Sequence, residues 1–108
     1  LVLVARALAQ EPKLLLLDEP TSHLDLSNKG RLVGLLRRLL TQGVTILFTT
    51  HEPEVASALA THLVLMKKGS VLHTGTFQDV FTSQNLSDLY QLPVSVAEIQ
   101  GKKVALWA

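Results

Sequence analysis

At 108 residues, with 47% hydrophobic side chains and a formal charge of +1, the chain is long enough to build one core and makes at most one domain. Its basic residues are scattered in ones and twos (the twos being Arg37-Arg38, Lys67-Lys68 and Lys102-Lys103), not in the stripe of a nucleic-acid surface, and without cysteine neither a disulfide framework nor a thiolate metal site is available. No apolar stretch approaches the roughly eighteen residues of a membrane-spanning helix, and no internal repeat or low-complexity tract is present.

Leu1, Val4, Ala5 and Leu8 recur at helical spacing with Arg6 and Gln10 on other faces, so residues 1–10 read as the latter part of a helix. The pattern is already under way at Leu1, without a starting Met, and Arg6 together with the lack of a cleavage-like ending argues against a signal peptide. The chain therefore reads as a piece of a longer protein. Pro12 disfavours helix at Glu11, and the apolar run Leu14 to Leu17 then stops at Asp18, Glu19 and Pro20. A run so short and without alternation predicts a strand buried on both faces, with both acids at its carboxyl end.

Pro20-Thr21-Ser22-His23-Leu24-Asp25 is a loop of turn formers, and Asp25 or Ser27 can cap the helix that follows. That helix, from about Ser27 to Thr41, turns Leu32, Leu35, Leu36, Leu39 and Leu40 inward and Lys29, Arg31, Arg37 and Arg38 outward, and Gly43 stops it. Val44 to Thr49 is short, apolar and β-branched, hence a second buried strand. Strand, crossover helix and strand make a parallel βαβ unit, so both strands end at the same edge. There Thr50-His51-Glu52-Pro53-Glu54 follows, and Pro53 with Glu54 marks the start of a helix reaching about Ala60.

His62 to Lys67 and Val71 to Thr74 around Lys68-Gly69-Ser70 predict a hairpin near the edge of the sheet. Phe77 to Phe81 and Leu86 to Tyr90 are short helical candidates, and Leu92 to Val96 with Lys103 to Trp107 form a final strand pair around Gly101.

Chemistry concentrates at one sheet edge. Ligands of open parallel sheets bind outside the carboxyl ends of the strands, and two adjacent carboxylates there call for a cation such as Mg²⁺ or for compensating hydrogen bonds. The bland alternative is an acidic turn after a core strand. His51 could likewise be an ordinary strand-end histidine, Asp25 nothing more than a helix cap, and His23, His62 and His73 surface or packing residues.

The ordered set of Leu14 to Pro20, Ser22-His23-Leu24-Asp25 and His51 resembles the carboxyl-terminal half of an ATP-binding cassette (ABC) ATPase, as its Walker B strand, D-loop and H-loop histidine. Residues 1–10 look like the helix after that family's signature sequence. The resemblance covers about Leu1 to Thr82 and implies an α/β fold, a partial P-loop NTPase-like parallel sheet with flanking helices and a C-terminal hairpin. It implies that Asp18 holds Mg²⁺ through a water, that Glu19, beside the metal, is the general base polarising the attacking water, and that His51 hydrogen-bonds the γ-phosphate of ATP. Ser22 and Asp25 would lie where two such subunits meet head to tail. The sequence contains no G-x-x-x-x-G-K-[ST] loop, glutamine loop or signature sequence, so the chain by itself is expected to hydrolyse nothing.

Met66 to Val71 with Gly75-Thr76 and Asp79-Val80-Phe81 is similar to the transporter branch, and Asn85 to Tyr90 with Leu92-Pro93-Val94 to importers of metal chelates or molybdate-like oxyanions. The implied protein is the ATP-hydrolysing subunit of an importer, peripheral on the cytoplasmic face of the membrane, working with a second ATPase subunit and a transmembrane permease, and with no nucleic acid. A cassette ATPase of DNA repair or chromosome maintenance, and a non-hydrolysing interaction remnant, are the alternatives.

Overall fold

The run of leucines before Asp18 forms strand β1 (Leu14–Asp18), and in the computed structural model, which describes residues 11–107, it pairs in parallel with β2 (Thr45–Thr49). The register sets Leu16 beside Leu47 and Asp18 beside Thr49. Between them runs helix α1 (Leu26–Thr41), whose N-cap is Asp25: its carboxylate accepts from the backbone N–H of Asn28 at 2.8 Å. Gly43, at φ 88°, turns the chain after the helix with no Cβ to clash. The helix expected over residues 1–10 lies outside the described residues.

The expectation that β1 and β2 are buried strands, β1 on both faces, is corrected. Leu15 is 4% exposed, but Leu14 and Leu16 are 56% and 66% exposed, and Leu47 beside Leu16 is equally open. A right-handed crossover places its helix on one face of a sheet, so Leu15, Leu17, Ile46 and Phe48 share the more protected side while Leu14, Leu16 and Leu47 share the other. In α1, Leu32 and Leu36 are fully buried, whereas Leu40, expected inward, is exposed near the helix end.

The chain divides into two units at His51/Glu52. The second begins with α2 (Pro53–Leu59), where Pro53 and Glu54 occupy the first turn, and Val55 and Leu59 are buried. Strands β3 (His62–Lys67) and β4 (Ser70–Thr76) form an antiparallel hairpin that is a sheet of its own, with a register shift at Leu65/Met66. Helices α3 (Phe77–Val80) and α4 (Ser83–Tyr90) follow, capped by the hydroxyls of Thr76 and Thr82. Strands β5 (Val94–Ile99) and β6 (Lys102–Trp107) complete the unit as a second hairpin.

Its core is Leu65, Val80, Phe81, Leu86 and Val94, flanked by Leu63, Phe77, Leu89, Val96 and Ala105, with the rings of Phe77 and Phe81 stacked at 4.8 Å. Polar pins add to the apolar packing. The Ser87 hydroxyl accepts from Val94 N–H and donates to Val94 C=O, while Ser83 Oγ accepts from Val96 N–H, so α4 takes the place of a strand neighbour for β5. Ser57 on α2 donates to the carbonyl of Lys103 on β6 at 2.6 Å.

Candidate functional site

Parallel pairing brings the ends of β1 and β2 together, and the residues just beyond them meet. Nε2 of His51 lies 2.6 Å from Oε1 of Glu19. At that separation the imidazole nitrogen carries a proton and donates to the carboxylate, which can only accept. The site is open: the His51 side chain is 91% exposed and that of Glu19 is 37% exposed.

Glu19 reaches this position by an unusual backbone. Its φ is 45°, in the left-handed region that side chains larger than glycine avoid. Hydrogen bonds hold it there: its N–H points to both the carbonyl oxygen (3.1 Å) and the hydroxyl (3.0 Å) of Thr49, and its own carbonyl accepts from Ser22 N–H at 3.1 Å. The same Thr49 hydroxyl donates to Oδ1 of Asp18 at 2.5 Å. Asp18 lies on the side of the sheet shared by Leu16 and Leu47, and its second carboxylate oxygen is left for another partner.

Ser22 sits inside the turn that leaves Glu19, followed by His23 at φ 66° and the Leu24 N–H bond to the carbonyl of Thr21. Asp25 is occupied as the cap of α1, a contact that by itself accounts for the choice of residue. Thus Asp18, Glu19 and His51 are brought together, and Ser22 and Asp25 lie along the loop leading away from them. His62 and His73 belong to the second unit. The participant that sequence reasoning passed over is Thr49. A polar side chain closing an apolar strand, at the position paired with Asp18, was its one signal.

Among the described residues no group of three or more His, Cys, Asp or Glu side chains forms a ready-made metal site. Asp18 and Glu19 supply carboxylate oxygens of the kind a hard cation such as Mg²⁺ takes, with water completing its shell. Among the described residues no helix is long and apolar enough to cross a membrane.

Comparison with known proteins follows the same direction. Residues 1–57 match a family profile described as "AAA domain, putative AbiEii toxin, Type IV TA system". The chain is 42% identical over 104 residues to the molybdate import ATP-binding protein MolC of Haemophilus influenzae, covering 95% of this chain and 41% of that protein. It is 40% identical over 96 residues to the iron(3+)-hydroxamate import ATP-binding protein FhuC of Bacillus subtilis, covering 88% of this chain and 36% of that protein. A solved structure titled "An inward-facing conformation of a putative metal-chelate type ABC transporter" superposes with a TM-score of 0.86 at 38% identity, over 97% of this chain and 44% of the other. The chain thus spans about two fifths of the length of these relatives.

Proposed function

The chain belongs to the ATP-binding proteins of ABC transporters, and from that membership we propose that it is the carboxyl-terminal part of a subunit that hydrolyses ATP to drive import through a membrane permease. The observation that carries the reading is the 2.6 Å contact between Glu19 and His51 at the shared end of two parallel strands, with Asp18 alongside.

In this mechanism Glu19 is the general base. Its carboxylate orients a water and takes its proton as the water oxygen bonds to the γ-phosphorus, while the bond from that phosphorus to the bridging oxygen breaks and ADP leaves. Phosphoryl transfer asks for positioning and charge neutralisation more than for covalent chemistry, so a carboxylate and an N–H donor at one sheet edge suffice from this part of the chain. The N–H of His51, which here points at Glu19, passes to a γ-phosphate oxygen when nucleotide is bound and stabilises the charge spread over the phosphoryl group. Asp18 would hold Mg²⁺ through a water, Glu19 lying beside it, and that ion when bound neutralises phosphate charge.

Ser22 and Asp25, on the loop running from Glu19 to α1, face a second ATP-binding subunit in a head-to-tail pair, and through it the state of one site reaches the other. The pair sits on the cytoplasmic face of the membrane against the permease. The cargo is a metal chelate or an oxyanion, a class supported by the molybdate and iron(3+)-hydroxamate import relatives. Residues 1–108 contain no G-x-x-x-x-G-K-[ST] loop to cradle the phosphates, so the isolated chain binds ATP weakly and does not hydrolyse it.

The test is Glu19→Gln in the full-length subunit with its permease. ATP binding is retained, the nucleotide-bound pair of subunits stays closed, and turnover falls by orders of magnitude. Near-normal turnover refutes the assignment of Glu19 as base.

A further inference from the structure

We propose that Thr49 is the positioning residue of the acid pair, its hydroxyl fixing Asp18 and Glu19 relative to each other; this rests on the reading of those two acids given above. A hydroxyl has one proton to give and lone pairs to receive. Glu19 N–H is a donor, so toward Glu19 the Thr49 oxygen accepts (3.0 Å), and its single proton is committed to Oδ1 of Asp18 (2.5 Å). One side chain therefore links the carboxylate of the first acid to the backbone of the second.

The consequences differ for the two acids. Asp18 is held by a short bond from the Thr49 hydroxyl to Oδ1, which restrains the rotation of its carboxylate and does not occupy Oδ2. Glu19 is held in a left-handed backbone conformation, φ 45°, and that conformation is what carries its carboxylate to within 2.6 Å of His51. The carbonyl of Thr49 also receives the Glu19 N–H, at 3.1 Å, so a residue without the hydroxyl still closes the strand end. Loss of the hydroxyl removes the aim of the carboxylates while sparing the pairing of β1 with β2. Register alone places Thr49 here, as the partner of Asp18 in the parallel ladder.

The experiment compares Thr49→Val, Thr49→Ser and Glu19→Gln in the full-length subunit. Val keeps the β-branched shape suited to a strand and lacks the hydroxyl; Ser keeps the hydroxyl. The expected result is a fall in kcat of about 10- to 100-fold for Thr49→Val, the scale of a misplacement of roughly 1 Å, with KM for ATP little changed. Thr49→Ser recovers most of the loss. Wild-type kcat in Thr49→Val alongside a dead Glu19→Gln overturns the role of Thr49 and leaves the base assignment standing, whereas full turnover in Glu19→Gln removes the underlying reading itself. A rise in KM with unchanged kcat also overturns the proposal. If Thr49→Val does not fold, Thr49→Cys, whose thiol is a weak donor, takes its place: turnover equal to that of Thr49→Ser counts against the hydroxyl, and turnover well below it supports the hydroxyl.

Discussion

His51 and Glu19 meet side chain to side chain at 2.6 Å because Glu19 directly follows the last residue of β1, His51 lies two residues beyond the last residue of β2, and the two strands run the same way. Groups that act as a unit show strongly non-additive losses when removed. His51→Ala is expected to lower kcat about 100-fold, the cost of one donor to a developing oxyanion. The double variant with Glu19→Gln should then fall little below Glu19→Gln alone. Steady-state ATPase assays of the four versions of the full-length subunit measure this, and losses that simply multiply would make the contact incidental.

Gly75, the last residue but one of β4, has φ 152°, and a Cβ placed there would stand 3.2 Å from Cγ2 of Val80, which is 3% exposed in the core of the second unit. Both the backbone and the space favour glycine. Gly75→Ala should destabilise the fold by about 1–3 kcal/mol, the usual cost of forcing a methyl into a packed core. The measurement is the urea midpoint at constant m-value. An unchanged midpoint would mean that neither the positive φ nor the contact with Val80 opposes a side chain there.

The elements bracketed by turn formers were legible in the sequence, since Pro12, Pro20, Gly43 and Pro53 interrupt the apolar runs at places where local backbone preference decides. The first strand, the long helix and the second strand all appear within a residue or two of their expected bounds. What escaped is non-local. Leu14 and Leu16 look identical to Leu15 in sequence, and only the layer covering a sheet decides which of them is buried. The last helix begins at Ser83, three residues before the expected Leu86, because Thr82 caps it, and the following strand is displaced to Val94–Ile99, where Ser83 and Ser87 can bond to it. Within the site, Asp18, Glu19 and His51 announce themselves as ionisable side chains at or just beyond the ends of apolar strands. Thr49 does not, because a threonine in a strand is explained equally well by β-propensity, and its role appears only with the register.

Ser87 bonds to both backbone groups of Val94, accepting at 2.9 Å and donating at 3.2 Å. Val94 is 7% exposed, so water cannot readily replace the lost partner. Ser87→Ala should therefore destabilise by about 1–3 kcal/mol, the cost of leaving a buried donor unsatisfied. Amide exchange should accelerate at Val94 more than at Ala105, across the hairpin. Equal acceleration at both would point to general loosening instead of loss of this pin.

Tyr90, the last residue of α4, has its phenol pushed above the ordinary value of 10.0, first by burial, which disfavours the phenolate, and then by the Glu54 carboxylate, which repels it. A group that holds its proton more tightly when folded contributes stability in full below its unfolded value and loses it as pH rises through the folded value. The side chain is 41% exposed, so the effect is screened and modest. As pH rises past the ordinary value of 10.0, the urea midpoint of the wild-type protein should fall more steeply than that of Tyr90→Phe, which has no proton to lose. Glu54→Gln should narrow the difference only slightly, since burial is the larger cause. Parallel curves for wild type and Tyr90→Phe would show that the phenol titrates alike in the folded and unfolded chains.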